Sequence, residues 1–384
     1  MLTGIMAVIL LVTSCQHETP LKALTPNPAA QSYNYKTTSY EHVRQMGGDN
    51  SADDTLTNGG AILGRLLFYD PRLSINNAVA CATCHKQQFA FADNQAFSEG
   101  YQGQMTLRNT PAIINAANKS SFFWDGRVTS LENQTLMPVR NHIEMGLERT
   151  DVLVKKISQI SYYAQYFQNA FGSPEVTSDR ISKALAQFVR SIASAESPAD
   201  AFTLSTDAQL GQSLFFGRLQ CGTCHRGNNF GGAPMFDTYF GGGIDIPVNA
   251  GGGSDQVPNT SNIGLDVAYT DQGEQALTGR TAQNGYFVIP SLRNVILTAP
   301  YMHDGRFKTL DEVIDHYSNG IQPHPNLDPL LLQQNFNQRF VTVASGQPVR
   351  MNISADERRE LKAFLNSLTD KTIISDPKFA NPFK

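Results

Sequence analysis

Residues 63–85 read LGRLLFYDPRLSINNAVACATCH, and residues 210–225 read LGQSLFFGRLQCGTCH. Each stretch opens on Leu-Gly, passes through an apolar segment and ends in C-x-x-C-H. That pentapeptide is the attachment pattern of haem c. Two thiols at this spacing can each form a thioether with one porphyrin vinyl group, and the adjoining His supplies the proximal imidazole. With Cys 5 and His 8 in the chain, chance produces one such pentapeptide about once per thousand chains. A zinc site would call for more Cys or clustered His, and no other Cys lies near either motif. A thioredoxin-like dithiol gives no reason for a His at the fifth position twice. The motifs predict two covalent haems c, one on Cys81, Cys84 and His85, the other on Cys221, Cys224 and His225.

The repetition extends further. An Arg-Asn pair follows each motif, Arg108-Asn109 and Arg293-Asn294. Each pair precedes an aromatic segment with Asp-Gly-Arg, FFWDGRVTSLENQ (122–134) and YMHDGRFKTLDEV (301–313). The same elements in the same order twice predict two homologous domains. The expected division is 51–196, a linker at 197–207, and 208–384 with a Gly-rich insertion at 230–284. Apolar spacing predicts helices over 58–69 (Asn58 as cap), 151–160, 162–171 and 178–195. Another is expected over 354–368, with Ser354 and Glu357 as a capping box. No strong alternating pattern appears, so the fold class is all-α and loop-rich.

Composition agrees with a folded, exported protein. The chain has 384 residues, hydrophobic 41% and charged 17%, enough apolar material to exclude wholesale disorder. The net charge of −4 argues against a nucleic-acid binder. Residues 1–15, MLTGIMAVILLVTSC, are too short to span a bilayer and read as a signal peptide. Small and hydroxylic residues before Cys15 resemble a lipoprotein signal; a soluble secretory signal is the plainer alternative. Residues 16–50 form a polar tether and N-terminal extension. Either signal puts the folded part on the periplasmic side of the cell envelope, held to a membrane only through lipid on Cys15.

Taken together, LGRLLFYDPRLS, CATCH, RNTPAIINAA, FFWDGR, Glu144-Met145, CGTCH and PSLRNVILTAPYMHDGRFKTLDEV resemble the bacterial di-haem cytochrome c peroxidases and their MauG-type relatives. The resemblance runs over about 57–370 and implies two cytochrome-c-like helical domains, one haem each, with a calcium ion between them. It makes the first haem the peroxidatic one. Trp124 matches a bridging Trp between the haems, although a lone Trp can also be simple core. Gln134 and Glu144 match a distal amide and carboxylate, and O–O heterolysis needs a base of that kind; a solvated carboxylate is the alternative for Glu144. Asn109, Thr298 and Pro300 match the calcium position, with oxygen donors that suit Ca²⁺.

Two departures from the peroxidases bear on chemistry. Where those requiring reductive activation carry a blocking distal His, this chain has Tyr101, and no His lies between His85 and His142. The first iron is expected to be open, with Tyr101 as ligand the lesser alternative. Where the peroxidases place an axial Met on the second haem, this chain has Tyr317, as MauG-type enzymes do; Met302 is the runner-up, and His316 points away along the helix. An anionic phenolate favours Fe(III), so the second haem is not expected to act as a ferrous store. Three functions follow: a peroxidase taking electrons for hydrogen peroxide from a small cytochrome c or another periplasmic redox protein, a MauG-like oxidase of a protein or organic substrate, or a plain di-haem electron carrier. A homodimer is left open.

Overall fold

The computed structural model describes residues 24–28, 32–45, 56–227, 229–231, 259–335 and 343–384. The signal segment with Cys15, and residues 232–258 of the Gly-rich stretch, lie outside the described residues. Helices start where a side chain can take up first-turn donors. The Asn58–Tyr69 helix is capped by Thr57, whose hydroxyl accepts the Gly60 N–H at 3.0 Å. Asn58, the expected cap, accepts the Tyr35 N–H at 2.9 Å instead. Thr57 takes the role because its backbone is extended while Asn58 is already helical. The Ser178–Ser191 and Thr206–Phe216 helices follow Thr177 and Ser205 in the same way. Ser354 and Glu357 form the expected reciprocal box at the start of the Ala355–Ser367 helix.

Two helix pairs organise the molecule. The Asn58–Tyr69 helix lies on Ser178–Ser191, and Thr206–Phe216 lies on Ala355–Ser367. Gly64 and Gly211, the glycines of the repeated Leu-Gly, sit at the closest approaches. A Cβ on Gly64 would overlap the Ala184 carbonyl, and one on Gly211 the Glu360 carbonyl. Beside them Phe68 meets Phe188 and Phe215 meets Phe364, both at 5.2 Å between ring centroids. Each pair anchors its own buried cluster, with Leu63, Leu67 and Phe91 in the first and Phe230, Leu361 and Leu365 in the second.

The repeat is real in space, but one of its elements is displaced. The aromatic segments fold alike: Phe122 N–H donates to the Val128 carbonyl and Tyr301 N–H to the Phe307 carbonyl, both at 2.7 Å. The counterpart of Asn294, however, is Asn115 and not Asn109. Both adopt a left-handed backbone. Asn115 N–H donates to Ile192 O at 2.9 Å just past the first helix pair, and Asn294 N–H to Leu368 O at 3.0 Å past the second. Their side-chain oxygens accept from Ser194 N and Asp370 N at 2.7 and 2.8 Å. Asn109 does different work, described below.

The segment 197–207, expected as a linker, is pinned: Arg293 pairs with Asp200 at 2.7 Å, and both side chains are buried. Part of the expected tether is ordered too. Tyr35, Tyr40 and Val43 enter the first cluster, the last two from a Thr38–Gln45 helix. At the other end, Ile373 and Phe379 return to that first cluster, although they were expected with the second domain. Arg65, 3% exposed, donates to Ala380 O and Pro377 O, both at 2.7 Å. Strand content among the described residues is two small antiparallel sheets, Thr260–Ser261 with Phe287–Val288 and Leu332–Asn335 with Val343–Pro348. The architecture is otherwise helical and rich in loops. No helix among the described residues is long and apolar enough to cross a membrane.

Candidate active site

Each C-x-x-C-H motif folds as one tight turn, with His85 N–H on Cys81 O at 2.9 Å and His225 N–H on Cys221 O at 3.0 Å. Behind each imidazole a backbone carbonyl fixes the ring. His85 Nδ1 meets Phe91 O at 2.9 Å, and His225 Nδ1 meets Phe230 O and Pro290 O at 3.1 Å. A carbonyl only accepts, so Nδ1 carries the proton and Nε2 keeps a free lone pair. Burial pushes both imidazoles below their ordinary pKa, which favours the neutral, metal-ligating form.

The four thiols are unbridged. Burial pushes Cys81 and Cys221 up to about 12, and Cys84 and Cys224 up to about 11. A redox dithiol needs a lowered pKa, so this is the wrong environment for one. Nor do the described residues hold a cluster of three or more His, Cys, Asp or Glu fit for zinc. Half-buried thiols beside an oriented imidazole fit covalent haem, and the first motif opens on a cavity of about 820 Å³ that suits a cofactor.

That cavity gathers residues from distant parts of the sequence. Cys81, Cys84, His85, Asn109, Trp124, Gln134 and Glu144 all line it. Glu144 Oε1 accepts from Asn141 Nδ2 at 2.7 Å. Burial raises its carboxyl above the ordinary range, and the Arg127 guanidinium and the Asn141 bond oppose that rise. Gln134 comes from the short Leu131–Thr135 helix capped by Ser130. Trp124 lies on the seam between the halves: its indole N–H donates to Asn109 O at 2.8 Å, and its own carbonyl accepts from Val288 N at 2.7 Å. Its counterpart in the second aromatic segment, His303, faces it edge-on at 6.5 Å and stacks on Phe287 at 3.7 Å. His303 O in turn accepts from Asn109 N at 2.7 Å. Asn109 thus clips both segments together. Its Nδ2 holds Gln95 O at 2.9 Å, which turns Oδ1 to the other side. Thr298 follows the Val295–Leu297 turn, its hydroxyl donating to Val295 O at 3.0 Å.

Tyr101 is not among the cavity residues; its ring packs against Gly146. Tyr317 lies in a π-turn, His316–Gly320, that continues the Leu310–Asp315 helix where a regular α-helix was expected. It packs beside Leu327 and Leu331. Burial, followed by the proximity of Cys224 and Cys221, pushes its hydroxyl far above the ordinary range. Met302 packs elsewhere, with Trp124 and Phe287. His316 is satisfied by Ile263 O at 2.9 Å. Sequence reading missed Lys119, which lines the cavity and donates to Ala112 O at 3.1 Å. Burial pushes its ammonium down to about 8. A lone Lys amid small and aromatic residues was the available signal.

Comparison with known proteins agrees with this geometry. The sequence profile described as "Di-haem cytochrome c peroxidase" matches residues 59–209. The methylamine utilization protein MauG of Methylorubrum extorquens is 34% identical over 320 residues, 82% of this chain and 79% of that one. The chain belongs to the di-haem cytochrome c peroxidase family. It is an oxidoreductase of that family, and its two Cys pairs match the two haems the family name states. Cytochrome c551 peroxidase of Nitrosomonas europaea, another relative, is 33% identical over 261 residues, 66% of this chain and 71% of that one. Among solved structures, a MauG-like protein associated with microbial copper homeostasis superposes with a TM-score of 0.74 at 29% identity, covering 91% of this chain and 99% of that one.

Proposed function

We propose that this family member is a peroxidase that reduces hydrogen peroxide, H2O2 + 2 H+ + 2 e− → 2 H2O, with electrons from an external donor such as a small cytochrome c. The observation that carries this reading is the company His85 keeps. Glu144 and Gln134 line its cavity, and His85 is the one His among the described lining residues. Haem held by Cys81, Cys84 and His85 would supply redox-active iron for peroxide reduction. The chain supplies the proton traffic. Glu144 takes the proton from the near peroxide oxygen and returns it to the leaving oxygen. The Gln134 amide orients the peroxide, and Trp124, fixed at both its indole N–H and its carbonyl, carries electrons between the halves. Asn109, Thr298 and Pro300 would offer hard oxygen donors to Ca²⁺. The protein works on the periplasmic side, anchored through lipid on Cys15.

A second reading, oxidation of a protein or organic substrate with the same peroxide chemistry, is favoured by one observation: Cys224 and Cys221 act electrostatically on the Tyr317 hydroxyl, while Met302 packs against the Phe287 cluster. Steady-state turnover separates the two. Oxidation of two equivalents of reduced cytochrome per peroxide supports the first reading; peroxide consumption only with an organic or protein co-substrate supports the second. An oxidised protein that neither consumes peroxide nor binds cyanide is an electron carrier, and both readings fall.

A further inference from the structure

Asp328 is a buried carboxylate with no cation at ion-pair distance among the described residues; it is 8% exposed and takes part in none of their salt bridges. Both its oxygens are acceptors: Oδ2 takes the Ser261 hydroxyl at 2.8 Å, and Oδ1 takes the Leu330 N–H at 3.0 Å. Its own N–H donates to Asn262 O at 3.0 Å. It heads the Pro329–Leu331 turn, and the flanking Leu327 and Leu331 belong, with Ile321, to the buried cluster against which Tyr317 packs. Its charge bears on Cys224, Tyr286 and Tyr317. Arg226 acts on Cys224 in the opposite sense and more weakly. A buried carboxylate with hydrogen bonds but no counter-cation among the described residues carries a charge that those bonds alone must hold. Capping a three-residue turn does not explain the charge, since a neutral Asn or Ser caps as well.

We propose that Asp328 is a positioning charge for the second haem, a fixed carboxylate that lowers that haem's reduction potential. Reduction, Fe(III) + e− → Fe(II), would add one negative charge to that haem, and a nearby carboxylate opposes it. Asp328 would act in the same direction as a Tyr317 phenolate ligand, and together they would disfavour the ferrous state of the second haem. The inference rests on the reading of 221–225 and Tyr317 as the second haem site.

The test is spectroelectrochemical titration of both haems in the full-length holoprotein without peroxide. Asp328→Asn keeps the cap and the Ser261 contact but removes the charge. The second haem's potential should rise, while the first haem's potential and the second haem's low-spin spectrum stay unchanged. Asp328→Glu should restore a low potential, and Ser261→Ala, which keeps the charge, should not raise it. If Asp328→Asn does not load two haems, Asp328→Ser gives the same reading. An unchanged potential, an equal shift of both haems, or an equal rise in Ser261→Ala overturns the proposal. Because no turnover is involved, a wild type inert to peroxide refutes the functional reading without touching this one.

Discussion

Replacing Glu144 with Gln removes the proposed base and leaves its shape. General acid–base groups contribute about 10²–10⁴-fold, and each tenfold corresponds to about 1.4 kcal/mol. Gln134 and the rest of the cavity wall survive, so peroxide is still oriented. The expected loss is therefore in the lower half of that range, about 10²–10³-fold, or roughly 3–4 kcal/mol. The assay is the stopped-flow rate of the oxidised protein with peroxide, followed at the Soret band. The pH profile adds a sign. Burial raises the Glu144 carboxyl, and only its ionised form is a base, so the rate should climb through a limb lying above the usual glutamate range. The Asn141 hydrogen bond favours the ionised form. Asn141→Ala should move that limb to higher pH. A Glu144→Gln rate within threefold of wild type, or a limb that Asn141→Ala leaves in place, refutes the assignment.

Three further outcomes follow from the same structure. Gly211→Ala gains about 1 kcal/mol of helix propensity, but its Cβ collides with the Glu360 carbonyl, a backbone atom that can yield only if the helix moves. Overpacking costs about 1–3 kcal/mol, and a Cβ driven into a backbone oxygen lies at the upper end, so urea unfolding should show a net loss of about 2 kcal/mol; an equal or higher midpoint contradicts the close packing. Pyridine haemochrome analysis should count two haems per chain and one after Cys221→Ala/Cys224→Ala; one haem in the intact protein sinks the two-site description. Tyr317→Phe should alter the second haem's low-spin spectrum while Met302→Leu leaves it intact, and the reverse result makes Met302 the ligand.

The sequence revealed most where one residue type answers one physical demand. Two thiols and an imidazole at fixed spacing, a repeated Leu-Gly, and Ser354 with Glu357 as a capping box are all local signals. The misplaced features depend on geometry that letters do not carry. Arg108-Asn109 and Arg293-Asn294 match as dipeptides, yet what makes Asn294 equivalent to Asn115 is a left-handed backbone docked past a helix end. The π-turn under Tyr317 leaves no mark in the apolar spacing, because only one residue of register separates it from an α-helix. Lys119 and Asp328 read as ordinary surface charges until packing surrounds them. Gln134, Glu144 and Trp124 were reached through a family likeness; what the structure adds is that all three line the cavity of His85.

The return of the chain end to Arg65 also sets a timetable. Arg65 lies in the Asn58–Tyr69 helix, and its carbonyl partners lie 315 and 312 residues later. Synthesis runs from the N-terminus, so this guanidinium has no native acceptors until the last residues arrive. Tyr69 waits likewise, its hydroxyl meeting Phe379 O at 2.7 Å. The first half cannot close over its core early, since Phe379 is itself part of that core. The first core is therefore complete only once residues 377–380 are in place.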